Sequence, residues 1–115
     1  SIILAAAGGQ LHLNKTHCWM EVDSTPRLHP SLDVTLPDMS AVFHAQWAAV
    51  ILTGMGCDGV HAALDAFTEG ATIIAESQET ALIWGMPGAV VKAGAASAVW
   101  PRGRIADWLK KVATG

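Results

Sequence analysis

The residues best placed to do chemistry lie in one run, Trp47-Ala48-Ala49-Val50-Ile51-Leu52-Thr53-Gly54-Met55-Gly56-Cys57-Asp58-Gly59. An apolar stretch stops at a glycine-rich turn carrying a single acid, and periodic residues from Val60 to Phe67 resume as a helix. In an open α/β sheet, ligands and catalytic groups gather in the crevice beyond the carboxyl ends of the strands. Asp58 therefore stands where a catalytic or ligand-binding carboxylate would be held. A carboxylate at a helix N-terminus is kept ionised by the helix dipole and by free backbone N–H groups. In that state it can orient a histidine, fix its tautomer and stabilise its imidazolium form. Acids are also common helix caps, and residue type and position alone favour the cap.

The same turn contains Gly54-x-Gly56-x-x-Gly59, a dinucleotide-binding fingerprint between a strand and a helix. Glu76 ends the next apolar run about 20 residues on, where a ribose-binding acid belongs. Asp58 argues against this reading. It lies where the pyrophosphate would bind, would repel it, and would compete for the same backbone donors. Neither a nucleophile nor a base accompanies the acid convincingly. Ser24, Ser40 and Ser77 have no motif around them, and Ser31 belongs to a helix start. His61 follows Asp58 by three residues and reads as a solvated helix residue. His12, His17, His29 and His44 lack ligand spacing, so no metal site is expected. Cys57 has a helix N-terminus to lower its thiol pKa and a neighbouring carboxylate to raise it, and reads as unreactive.

Alternating strands and helices must position these groups. Ile2–Ala5 reads as a buried strand, and Leu11–Asn14 with Thr16–Val22 as a hairpin turning near Asn14-Lys15. Asp23–Pro30 reads as loop. A helix capped near Ser31 follows, kinked or restarted at Pro37, and runs to about His44. Trp47–Leu52, Thr72–Ala75 and Ala98–Trp100 read as parallel strands. Helices are expected over Val60–Glu69 with Gly70 as the stop, over Glu79 to about Trp84, over a turn or two at Val90–Gly94, and over Arg102–Ala113. This order predicts an α/β fold, a doubly wound and mainly parallel sheet flanked by helices.

Composition narrows the classes. The chain has 115 residues, 51% hydrophobic and 15% charged, enough for one small domain with a buried sheet and too apolar for disorder. Net charge is −3 with no basic stripe, which speaks against nucleic acid as a partner. No apolar run approaches the roughly 20 residues needed to span a bilayer. Cys18 and Cys57, without metal spacing or a signal peptide, read as reduced thiols of a cytoplasmic protein. Ser1 leads almost directly into a strand-like run with no initiator Met, so a piece of a longer protein is expected.

Val50-Ile51-Leu52-Thr53-Gly54-Met55-Gly56-Cys57-Asp58-Gly59 resembles the LTGMGxDG motif of CheB-type protein-glutamate methylesterases. Gly85-Met86-Pro87 is similar to that family's GMP motif, at a fitting distance. Ala75-Glu76-Ser77-Gln78-Glu79-Thr80 resembles the segment leading into it. His29-Pro30-Ser31-Leu32-Asp33 is similar to an RPSxD segment, and Ala6-Ala7-Gly8-Gly9 to an APGG turn. The resemblance covers nearly the whole chain, 1–115, as the C-terminal part of the family's catalytic domain.

The resemblance implies an enzyme that removes methyl esters from glutamates, and deamidates some glutamines, on chemoreceptor cytoplasmic helices by a Ser-His-Asp mechanism. Asp58 matches the triad aspartate, and Met55 the residue whose backbone N–H helps form the oxyanion hole. The family's serine and histidine segments lie upstream and do not occur here, so the chain alone is expected to be inactive. No cofactor is implied. The implied partners are the methylated receptor helices, the missing N-terminal half of the catalytic domain and a receiver domain. Self-association through an uncovered sheet edge is expected. Several positions depart from the family pattern: His29 for arginine, Ala7 for proline, a histidine displaced to His12, Pro37 inside a helix, Ala62 for glycine, and Gly88 for a basic residue. These leave room for two other readings, a non-catalytic CheB-like interaction module and, more remotely, a dinucleotide-binding domain.

Overall fold

β-Branched residues flanked by small ones build the centre of the molecule. The computed structural model describes residues 10–13, 18–21, 32–53 and 59–114. Strand β4, Thr72–Glu76, is buried from Ile73 to Glu76, as a strand covered on both faces must be. β3, Ala48–Ile51, and β5, Ala98–Trp100, flank it in the order β3-β4-β5, both parallel to it. Ala49 pairs with Ile73, Ile51 with Ala75, and Glu76 with Trp100. A separate antiparallel pair, β1 (Gln10–Leu13) and β2 (Cys18–Glu21), forms the expected hairpin. Its turn at Asn14-Lys15 lies outside the described residues, as do the Ile2–Ala5 strand, the Asp23–Pro30 loop and Ser31.

Side-chain alternation along the strands sends one set of residues to each face. Ile51 and Ile73 join Leu36 of α1 (Leu32–Phe43), Ala62, Ala63 and Ala66 of α2 (Val60–Thr68), and Val90 of α3 (Met86–Lys92) in one core. The alanines let α2 approach closely. Burying each isoleucine contributes roughly 1.5–3 kcal/mol. The opposite face carries Ile74, Glu76 and, in register with Glu76, Trp100. Trp100 meets Trp108 of α4 (Arg102–Thr114) edge to face at 6.2 Å, with the Arg104 guanidinium 4.6 Å from its ring centre. Helices thus cover both faces, and the parallel α/β sheet expected from the sequence is present.

Gly70 ends α2 as expected. Its φ of 104° is open to glycine and strained for other residues, and it lets Ala71 N–H bond Ala66 O and Gly70 N–H bond Phe67 O. Gly94, at φ 74°, closes α3 with the same pair of bonds. Two helix expectations are corrected. Residues 79–84 form no helix: Thr80 and Ala81 N–H both turn back to Ser77 O, and the chain then runs irregularly to Met86. The separate helix at Val90–Gly94 is instead the end of α3, which begins at Met86 with Pro87 in its first turn. α1 is assigned as one helix from Leu32, with Pro37 inside it, rather than restarting at Pro37. It ends at Phe43, where His44 turns to φ 57°.

Candidate active site

All three parallel strands deliver their carboxyl ends to one side of the sheet, and the chain leaves that side by three short connections. β3 continues through Leu52 and Thr53 toward the glycine-rich segment. β4 passes through Glu76 into residues 77–85, and β5 through Pro101 into α4. Asp58 and Met55, the expected acid and oxyanion-hole residue, lie outside the described residues, as do Gly54, Gly56 and Cys57. Their flanks are described. Thr53 stands before the turn. Gly59 follows it, buried at φ 83°, as the N-cap residue of α2, and its carbonyl accepts the Ala63 N–H at 2.9 Å. No side chain caps α2 among the described residues.

Glu76 organises the strand ends. It is 1% exposed, yet every oxygen it carries has a donor. Oε1 accepts the Thr53 N–H at 2.9 Å, Oε2 accepts the Thr80 hydroxyl at 2.7 Å, and the backbone carbonyl accepts the Trp84 indole N–H at 2.7 Å. Thr80 Oγ1 in turn accepts the N–H of Arg102, the first residue of α4, satisfying one of that helix's orphan donors. Thr53 Oγ1 donates to Ile83 O at 3.0 Å and accepts from Ile83 N–H at 2.7 Å, so a side chain closes a strand-like bridge across the crevice. The exit of β3, the end of β4, the 80–84 segment and the start of α4 are thereby tied together.

The Gly85-Met86-Pro87 motif sits beside this network. Pro87 and Gly88 are buried, and a Cβ on Gly88 would lie 2.9 Å from the Trp84 ring. The departure at Gly88 thus has a packing reason: the indole occupies the space a side chain would need. Ala62, another departure on a described helix, is buried in the core beneath α2.

Glu76 is not a free ribose acid. Both carboxyl oxygens are engaged by the protein, which removes the second element of the dinucleotide reading. His61 is exposed and lines a groove between α1 and α2 with Asp33, Ser40 and Asp65. Ser77 is buried, and its Oγ has no hydrogen-bond partner among the described residues. No group of three His, Cys, Asp or Glu residues able to hold a metal occurs among the described residues. None of their helices is long and apolar enough to cross a membrane. Sequence reasoning missed Thr53, Thr80 and Trp84. The available signal was an acid ending an otherwise apolar strand, because a buried carboxyl group demands donors from its neighbours.

The family profile of CheB methylesterase matches residues 1–109. The chain belongs to the CheB methylesterase family. Among CheB relatives, it is 33% identical over 99% of its length to the protein-glutamate methylesterase/protein-glutamine glutaminase of Nitrobacter hamburgensis, and covers 31% of that protein. It is 40% identical over 73% of its length to protein-glutamate methylesterase/protein-glutamine glutaminase 1 of Paramagnetospirillum magneticum, and covers 22% of it. Its fold matches the CheB methylesterase catalytic domain of Thermotoga maritima with a TM-score of 0.78 and 32% identity, over 91% of this chain and 58% of that one. The chain therefore spans less than a third of these curated CheB relatives and somewhat over half of the CheB catalytic domain.

Proposed function

We propose that this chain is the acid-bearing part of a protein-glutamate methylesterase/protein-glutamine glutaminase catalytic domain, with its serine and histidine supplied from outside residues 1–115. The observation that carries the reading is the family match over residues 1–109, which spans the strand–glycine turn–helix unit containing Asp58. Asp58 orients the histidine and stabilises its imidazolium form. The histidine takes the serine proton as the hydroxyl oxygen attacks the glutamyl ester carbon. The Met55 backbone N–H faces the oxyanion of the tetrahedral intermediate. Collapse breaks the carbon–methoxy bond, methanol leaves with the proton held by the histidine, and water, activated by the same base, frees the glutamate and the serine. The substrates are the methylated cytoplasmic helices of chemoreceptors, and a receiver domain is a further partner.

The test is methanol release from methylated receptor membranes by the full-length protein that contains this chain. Asp58→Asn lowers kcat by about 10²- to 10⁴-fold, because the amide holds the wrong histidine tautomer. A folded full-length protein that releases no methanol, or an Asp58→Asn variant of undiminished rate, overturns the reading. The first result leaves the non-catalytic interaction module in its place, and the second leaves an esterase whose acid is not Asp58.

A further inference from the structure

The described residues on either side of the acid-bearing segment, Thr53 and Gly59, are held by different means. At Gly59 the anchor is backbone, the first hydrogen bond of α2. At Thr53 the anchor is a side chain 23 residues away, the Glu76 carboxyl group. We propose that Glu76 is a positioning residue for the esterase reaction, acting on Asp58 through Thr53, which it holds five residues ahead of the acid. The proposal rests on the reading of Asp58 as the catalytic acid.

Stability alone is a poor reason for this residue. Glu76 is fully buried at the end of a strand whose preceding residues are Ile73, Ile74 and Ala75. Taking a carboxyl group out of water is costly, and an apolar side chain of similar size commonly serves a core as well or better. What the carboxyl group adds is geometry. One oxygen fixes the Thr53 N–H and the other is held by Thr80, whose hydroxyl is itself fixed by the first N–H of α4. The carboxyl plane is thus set from two sides before it meets Thr53. Thr53 is exposed, yet it keeps three hydrogen bonds, one to Glu76 and two to Ile83. An exposed residue at a strand exit held this tightly marks a chain position that must not drift. Thr53 precedes Asp58 by five residues in the sequence. Ångström-scale misplacement of a catalytic group costs up to about 10²-fold in rate.

The test uses the full-length protein and methylated receptor membranes, with kcat, KM, the pH–rate profile and thermal unfolding measured together. Glu76→Ala lowers kcat by about 10- to 100-fold with KM within about twofold. It also moves the acid limb of the profile to lower pH, because a histidine that loses its aspartate partner is more readily deprotonated. Glu76→Gln keeps an oxygen for the Thr53 N–H and restores kcat to within about threefold of the wild type. If Glu76→Ala does not fold, Thr80→Val decides. It keeps the shape, removes the hydroxyl that sets the carboxyl plane, and lowers kcat with KM unchanged. A folded Glu76→Ala, or in its place a folded Thr80→Val, with wild-type kcat and an unmoved profile overturns the proposal. So does a loss that falls on KM alone. Wild-type protein that releases no methanol marks instead the failure of the esterase reading, and Asp58→Asn without effect marks the failure of Asp58 as its acid.

Discussion

At Gly88 the difference between a hydrogen and a methyl group decides where Trp84 can lie. A Cβ there would approach Trp84 Cε3 to 2.9 Å and Cδ2 to 3.0 Å. The ring cannot simply swing away, because its Nε1 donates to the Glu76 carbonyl at 2.7 Å. Alanine favours the helix by up to about 1 kcal/mol over glycine, but overpacking a rigid ring costs about 1–3 kcal/mol. Gly88→Ala is expected to destabilise the fold by about 1–2 kcal/mol, read as a lower urea midpoint with altered Trp84 fluorescence. An unchanged midpoint would sink this account of the packing. Gly88 was legible in the sequence only as a position lacking a side chain; its reason is a contact with Trp84, which no local pattern encodes. Glu76 was legible as an acid at a strand end, but its partners come from four and twenty-three residues away. Its role as an anchor, rather than a ligand for ribose, required the fold.

Elements with a clean period or a strong stop were readable one by one. The three parallel strands, the hairpin, α2 with its Gly70 stop and α4 all follow from apolar periodicity and glycine placement. The segment 79–84 was not, because its residues suit a helix locally while their polar groups are committed elsewhere. Thr80 is drawn to Glu76, and Ile83 is bridged by Thr53. Pro37 left two readings open, a kink or a restart, and the restart does not occur. A proline inside a helix lacks the N–H that would bond the carbonyl four residues back, here Asp33, and its ring crowds that carbonyl. α1 nevertheless continues through it, because Leu36, 3% exposed, joins the core against α2. Tertiary burial outweighs the local penalty, which leaves that penalty recoverable. Pro37 is exposed, so replacement disturbs no core packing. Pro37→Ala is expected to stabilise the protein by about 1–2 kcal/mol, less than the full cost of roughly 3 because the unfolded chain also gains freedom. Equilibrium urea unfolding measures this, and a destabilised variant would contradict a helix continuous through residue 37.

At the scale of the molecule, the parallel sheet has three strands among the described residues. Among the described residues β3 and β5 are both edges, each hydrogen-bonded to β4 on one side only. Parallel sheets are normally covered on both faces and extended until their edges are protected, because a free edge is a template for another strand. Neither edge here carries a charge: β3 reads Ala-Ala-Val-Ile, with Ala48 exposed, and β5 reads Ala-Val-Trp, with Val99 41% exposed. Leu82, 89% exposed, adds apolar surface at the carboxyl side. A net charge of −3 offers little repulsion between copies. Residues 1–115 on their own are therefore expected to sediment as dimers or larger species at concentrations on the order of tens of micromolar. A lysine on an edge strand blocks pairing by burying an unpaired charge in any contact. Ala48→Lys returns the chain to monomer if β3 is the pairing edge, and Val99→Lys does so if β5 is. On the proposed reading β3 is the edge in use, because it leads into the turn that must meet the serine and histidine brought from elsewhere, so a sheet continued past β3 would bring them beside Asp58. A wild-type chain that sediments as a single monomer at those concentrations shows that 115 residues close their own surface. Association abolished by Val99→Lys and untouched by Ala48→Lys moves the open edge to the far side of the sheet, away from the acid.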